Sequence, residues 1–290
     1  PIVLGRAMVR DLYDGPRAGK ELARMGMIMG LVPAVAPVIG GVLQVAFGWR
    51  STFIASLLFA LALAAVIVGV MPETLRRRSP QPLSPLAIFR GFGSLLQNRA
   101  FRVYVGLTAL AYAGLFAFIS GSSFVLTGVY GLSPVQYGFA FAFGVSGYIG
   151  GTILAQRLVG PRGMDGVIAL GVLCLALGGL MMLGAVATGA GGAPGVALSW
   201  AVYACGVGLT MPQAQASAMM PFPDRAGAAS SFNGLCQMLL SACVGLLVGH
   251  LLKSSALPLP LVMSALGIAA FLLFKLSGPV RAARERTGRS

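Results

Sequence analysis

The sequence predicts an all-α, polytopic membrane protein, and three observations carry that prediction. Apolar residues make up 57% of the 290 and charged ones 10%, at a mean hydropathy of +0.86, which leaves too little polar surface to coat a water-soluble globule of this length. The apolar residues fall in runs of ~20 or more, long enough to cross a bilayer as helices and without the two-residue alternation of a membrane barrel. The 41 glycines are scattered through those runs with no three-residue period, which excludes collagen and suits helices that approach closely in lipid. A lipid bilayer is therefore the expected partner and native solvent.

Pro1 to Val9 is apolar but short and runs into Arg10 and Asp11 like the tail of a helix. With no starting Met and no signal peptide, a truncated sequence is expected. Eight full spans follow, at about 22–46, 51–71, 102–127, 135–158, 165–187, 195–219, 227–250 and 257–276. Cationic loops resist translocation, so the 21 basic residues report topology. With the segment before Arg24 inside, nineteen of them fall on one side and only Arg50 and Lys253 on the other, which places the C-terminus in the cytoplasm. The net charge of +14 does not point to nucleic acid, because the basic residues punctuate hydrophobic spans instead of coating a polar fold.

The expected domains are a partial N-terminal helical bundle at 1–75, a cytoplasmic linker at 76–101, a six-helix bundle at 102–277 and a basic tail at 278–290. The linker holds Pro80, Pro82, Pro85 and the Arg76, Arg77, Arg78 triplet. Its second half sets Leu86, Phe89, Phe92 and Leu96 near helical spacing among Arg90 and Arg99, as either an interfacial helix on anionic lipid or a solvated connector would.

The spans differ in polarity with a period of three. Those at 51–71, 165–187 and 257–276 carry almost nothing polar in mid-membrane, the pattern of repeated three-helix units in which every third helix faces lipid. The others carry stripes. Ser230, Asn233, Gln237 and Ser241 share one helix face; Thr210, Gln213 and Ser217 share another, with Tyr203 two turns earlier. Thr108, Tyr112, Phe116 and Ser123 lie on the 102–127 span, and Tyr137, Phe141, Tyr148 and Thr152 on the next. Such groups face protein or a water-filled cavity. As hydrogen-bonding glue each contact is worth about 0.6 kcal/mol; as cavity lining, Tyr112, Phe116, Ser123, Tyr203, Gln213, Asn233 and Gln237 are the substrate-contact candidates. In the first span Pro33 and Pro37 delete hydrogen bonds one turn apart, and Gly40 with Gly41 lets a neighbour approach.

These residues carry a resemblance. Ala36, Pro37, Gly40 and Gly41, with Gly30 and Pro33 ahead of them, are similar to the antiporter motif in the fifth helix of the major facilitator superfamily. AMVRDLY at 7–13, GLFAFISGSSFVLTGVYGLSPVQYGFAFA at 114–142 and AGAASSF at 226–232 resemble its fourth helix, its seventh to eighth and its eleventh. The whole chain, in order, resembles the bicyclomycin-resistance (Bcr/CflA) branch of the drug:proton antiporters. That resemblance implies a major facilitator fold lacking helices one to three, with eight full helices and the stub of a ninth. It also implies a multi-pass carrier in the bacterial inner membrane, acting as a monomer on small-molecule substrates and protons. The proton gradient would be its energy source, with no cofactor and no metal. Gly30, Pro33, Pro37, Gly40 and Gly41 would serve gating, and Arg10 and Asp11 would be cytoplasmic charges.

Proton coupling needs a group that titrates inside the cavity. All seven acids, Asp11, Asp14, Glu21, Glu73, Asp165, Asp224 and Glu285, fall at helix ends or loops, and His250 lies at the outer end of a span. The proton carrier is therefore expected in the absent first helix. No nucleotide-binding loop or hydrolase elbow is present, so neither an ATP-driven pump nor an enzyme is expected. Cys174, Cys205, Cys236 and Cys243 read as small packing residues. The competing readings are a noncatalytic membrane scaffold or sensor, whose polar stripes would be filled by packing, and a major facilitator carrier for a sugar, amino acid or siderophore.

Overall fold

The computed structural model describes residues 8, 12, 21, 32, 35–70, 85–189, 191–222, 225–252 and 255–281. Among them there is no strand, and six helical stretches are long and apolar enough to cross a membrane, with Pro134–Thr188 counted as one. Gly30, Pro33, Arg10, Asp11 and the arginine triplet lie outside the described residues. The chain divides into two compact units, one of 1–83 with Pro134–Ala142, the other of 84–133 with 143–290.

In the first unit, α1 (Val35–Phe47) turns into α2 (Arg50–Val70) through Gly48. Gly48 holds φ at +79°, a conformation that a side chain would strain. Ser51 secures the corner by placing its hydroxyl 2.7 Å from the carbonyl of Gly48 and 2.9 Å from that of Leu43. Trp49 packs edge-on to Phe53 and carries the Arg50 guanidinium 4.7 Å from its ring centre. α2 is apolar on every face and buries none of its residues, as expected of a helix whose surroundings are lipid or other protein. α1 meets the first turns of the helix beginning at Pro134 backbone to backbone. A Cβ on Gly41 would lie 2.6 Å from the carbonyl oxygen of Pro134, and one on Gly138 would lie 2.8 Å from that of Pro37.

The second unit begins with α3 (Pro85–Leu96) and α4 (Arg99–Ser123), which runs into a π-turn at Phe124–Val129. The Asn98 side chain accepts a hydrogen bond from the Phe101 amide at 3.0 Å and so caps α4. The linker's second half is thus a helix, and it belongs to the second unit. Phe92 packs at a tilt against Phe232 with ring centres 5.1 Å apart and Leu95 is buried, whereas Leu96 stays exposed. The apolar face read from the sequence is shifted by one residue at this end.

Pro134–Thr188 is broken at Gly163 into α5 (134–162) and α6 (164–188). The sequence suggested a short loop there; a single glycine makes the break instead. Its φ of 67° and ψ of 171° belong to a region that only glycine visits readily, so the chain reverses without a longer connector. α7 (Gly192–Met219), α8 (Ala226–Leu251) and α9 (Pro258–Leu276) complete the unit.

α4 is the central helix, flanked by α7, α8 and α9. It has Phe101, Tyr104, Leu107, Ala111, Gly114 and Phe118 buried on successive turns. Phe118 stacks face to face on Trp200 of α7, ring centres 4.0 Å apart and planes 6° from parallel. Glycines set the helix separations, since lipid offers no hydrophobic drive between apolar helices and close packing must supply the attraction. Gly144 of α5 makes room for Trp200, Gly114 of α4 and Gly178 of α6 for Tyr203, and Gly267 of α9 lies against the backbone of Leu175. α6 presents Val167, Ile168, Val172 and Leu175 inward and leaves Leu173, Leu177, Leu180 and Met181 exposed, one face for protein and one for lipid.

One end of this unit is tied by polar contacts. Tyr104 of α4 donates to Asp165 Oδ1 at 2.7 Å, and Arg281, just beyond α9, donates to Asp165 Oδ2 at 2.7 Å and to the carbonyl of Phe274 at 2.9 Å. The guanidinium also lies 3.6 Å from the Phe274 ring centre. Arg281 and Asp165 are only 11% and 19% exposed, so solvent screens the pair weakly. Asp165→Asn keeps a partner for Tyr104 but removes the charge opposite Arg281. The variant is expected to lose about 1–3 kcal/mol of stability, read as a lower melting temperature of the detergent-solubilised protein.

Candidate functional site

The polar stripe of α8 packs along α4, and this seam is the candidate site. Thr108 of α4 and Asn233 of α8 meet at 2.6 Å between Thr108 Oγ1 and Asn233 Oδ1, and Thr108 Oγ1 also lies 2.9 Å from the carbonyl of Val105. Thr108 has one hydroxyl hydrogen to give. Both contacts become hydrogen bonds when the Asn233 amide turns its NH2 toward Thr108 and Thr108 donates to Val105. One turn further, Gln237 is 6% exposed, and its Nε2 has no hydrogen-bond partner among the described residues; the same is true of Ser241 Oγ.

Phe116 continues the seam on α4, its ring edge 2.9 Å from where a Cβ on Gly245 of α8 would sit. Tyr112 lies one turn from both Thr108 and Phe116 on the same helix face and, like Phe116, is half-buried. The contacts Thr108–Asn233 and Phe116–Gly245 bracket Tyr112 on α4 and Gln237 on α8 along one seam. Ser123 is exposed at the start of the π-turn, where its carbonyl accepts from Thr127 Oγ1 at 2.6 Å.

Tyr203 and Gln213 do not join this group. Tyr203 is sealed in the interior with its hydroxyl against Gly114 and its backbone against Gly178, and the hydroxyl has no hydrogen-bond partner among the described residues. Tyr203→Phe removes that unpaired group at nearly constant shape, so the melting temperature is expected to stay level or rise, as measured on the solubilised protein. Gln213 is half-buried on α7, but its stripe faces α6: Thr210 lies against Gly171, and Ser217 donates to Met164 Sδ at 3.4 Å. The stripe that one-dimensional reading assigned jointly to cavity or glue is, at Thr210 and Ser217, contact between α6 and α7.

In the first unit Pro37 and Gly40 are half-buried and Gly41 is buried. Pro37 and Gly41 both meet the helix that begins at Pro134, whereas a Cβ on Gly40 would find nothing within 4 Å. Gly138, the glycine facing Pro37, escaped the sequence reading. Its sole signal was a small residue in the first turns after Pro134, and only the partner helix gives that position meaning.

Chemically the seam offers uncharged hydrogen-bonding groups and aromatic rings inside apolar helices, an arrangement suited to apolar solutes with a few polar handles. It contains no carboxylate and no histidine. Among the described residues the acids are Glu21 and Asp165, and His250 is exposed in the last turn of α8. No group of three or more metal-ligating side chains occurs among the described residues.

The chain is similar to known proteins over most of its length. Residues 2–246 match the family model described as Major Facilitator Superfamily. The chain is 28% identical over 274 residues to the bicyclomycin resistance protein homolog of Haemophilus influenzae, covering 94% of this chain and 69% of the relative. It is 27% identical over 272 residues to multidrug resistance protein D of Escherichia coli, covering 93% and 67%. To multidrug resistance protein MdtL of Escherichia coli it is 30% identical over 278 residues, covering 90% and 68%.

Proposed function

The chain belongs to the major facilitator superfamily, and on that premise we propose that it is the transporting part of a secondary carrier that exports drugs or small amphiphilic metabolites across the bacterial inner membrane in exchange for protons. Relatives named for bicyclomycin and multidrug resistance support the direction and the substrate class. The observation that carries the reading is the α4–α8 seam: Gln237 of α8 keeps an amide nitrogen without a partner among the described residues, and α4 brings half-buried Tyr112 and Phe116 to the same seam, in helices where every polar group is costly to leave unmatched.

Within that reading the residues divide their work. Tyr112, Phe116 and Gln237 meet the solute, the rings by contact and the amide by hydrogen bonding. Thr108 and Asn233 bolt α4 to α8, and Tyr203 pins α7 against α4 and α6. Gln213 and Ser123 sit at the edges of the site. Gly41 and Gly138 form the tight seam that opens and closes during gating, with Pro33, Pro37, Gly30 and Gly40 shaping α1 and the residues before it. The protein works as a monomer, its C-terminus in the cytoplasm, with the domain limits set out above. No described side chain inside the seam can take up a proton, so the coupling group belongs to a part of the carrier outside it.

The test is efflux of a fluorescent amphiphilic dye from drug-sensitive bacteria that express the protein. Expression should lower dye accumulation, a protonophore should abolish the effect, and Gln237→Leu should weaken it while the protein level is unchanged. Efflux that survives the protonophore would remove the proton-exchange reading; no efflux of any amphiphile would favour the scaffold.

A further inference from the structure

Cys174 and Cys205 were read from the sequence as separate packing residues, yet the fold makes them neighbours. Cys174 lies on α6 and Cys205 on α7, with their side chains near enough to interact. The glycines beside them explain why. At Gly206 the two helices come so close that a Cβ would lie 2.7 Å from both the carbonyl oxygen of Gly171 and the amide nitrogen of Leu175, and 3.0 Å from Cys174 Cβ. Residues flanking such a crossing meet side chain to side chain.

Both thiols are free and half-buried. They sit at the rim of a small cluster formed by Ala155, Val167 and Leu209, together with Leu158, Val159 and Leu170. Cys174 is ten residues beyond the start of α6 and Cys205 thirteen beyond that of α7, so each lies about 15–20 Å along its helix, deep in the span. The other two cysteines differ. Cys236 and Cys243 are both on α8, seven residues and hence about 10 Å apart along it, too far for a bond between them.

We propose that Cys174 and Cys205 form an intramembrane dithiol that closes reversibly to a disulfide and welds α6 to α7. Closure forms one S–S bond and releases two protons and two electrons. A neutral azo oxidant accepts both: one thiol adds across its N=N bond, the second displaces it, and the azo compound leaves as the hydrazine. The tight crossing at Gly206 prepares this step, because it holds the two side chains beside one another between packed helices. The apolar rim selects the reagent, admitting neutral, lipid-soluble oxidants over charged ones. The bond's consequence is local: α7, which carries Trp200 and Tyr203, is tied covalently to α6.

The experiment treats the protein in membranes with diamide, a neutral azo oxidant, then blocks remaining thiols with a maleimide. The intact mass before blocking should fall by about 2 Da. Maleimide labelling should be lost at Cys174 and Cys205 and kept at Cys236 and Cys243, and dithiothreitol should restore all four. Cys174→Ser and Cys205→Ser should each abolish the mass loss, while the Cys236→Ser, Cys243→Ser double variant should retain it. After solubilisation the oxidised wild type should melt at a higher temperature than the reduced protein, a shift absent from both single variants. Melting curves of the untreated variants report whether they fold, so an absent bond is not mistaken for an unfolded chain. Continued labelling of Cys174 and Cys205 after diamide, or a bond formed only between chains, would overturn the proposal.

Discussion

Gly41→Leu is expected to abolish most of the transport activity while the protein still inserts into the membrane at its normal level. The backbone of α1 touches the backbone at Pro134, and even a methyl group on residue 41 would lie 2.6 Å from a carbonyl oxygen and 2.9 Å from its carbon. Neither atom belongs to a side chain that could swing away, so α1 or the start of α5 must move. Overpacking of this kind costs about 1–3 kcal/mol, and a leucine at a backbone contact belongs at the upper end. Insertion depends on the apolar character of the segment, which leucine increases. Gly40→Ala, which meets nothing within 4 Å, is expected to lose far less. Efflux rate normalised to membrane protein is the measurement, and equal efflux from Gly41→Leu and wild type would remove this seam from the mechanism.

Gly144→Val should have the largest effect on stability, preventing recovery of folded protein or lowering its melting temperature by many degrees. Any Cβ at 144 would overlap the five-membered ring of Trp200. That indole cannot retreat, because it is 2% exposed and stacked on Phe118 at 4.0 Å. The helices must separate, losing the Phe118 stack and the close approaches of Gly147 and Gly151 to the backbone of α7. Gly150→Ala in the same helix, with open space around it, provides the control. The yield of monodisperse protein after detergent extraction and its melting temperature decide the matter; equal values for Gly144→Val and Gly150→Ala would show that the Trp200 packing is not limiting.

Both predictions concern glycines, and they mark where one-dimensional reading stopped. Gly41 was visible because it sits in a recognisable run with Pro37 and Gly40, but the run does not say which glycine touches another helix. Gly138, Gly144 and Gly245 gave no usable signal: in a chain with 41 glycines, those that admit a neighbouring helix look like those that face open space. The polar stripes were legible as stripes, because a helix repeats its faces every three to four residues. Their partners were not. Asn233 reaches Thr108 across a separation of 125 residues, Ser217 meets Met164 on α6, and Tyr203 is buried with its hydroxyl beside Gly114.

By itself the sequence determined the solvent, the helical class and the family, since each depends on composition, run length or local pattern. Long apolar segments must satisfy their backbone hydrogen bonds internally wherever they lie in a bilayer, so a helical protein follows from hydropathy alone. Tertiary structure alone decided which polar groups meet a partner on another helix, that Gly163 without a longer loop separates α5 from α6, and that Cys174 and Cys205 meet. The physical reason is common to all three. They depend on distances between helices remote in sequence, and those distances are set by close packing of small and large side chains, which no local periodicity encodes.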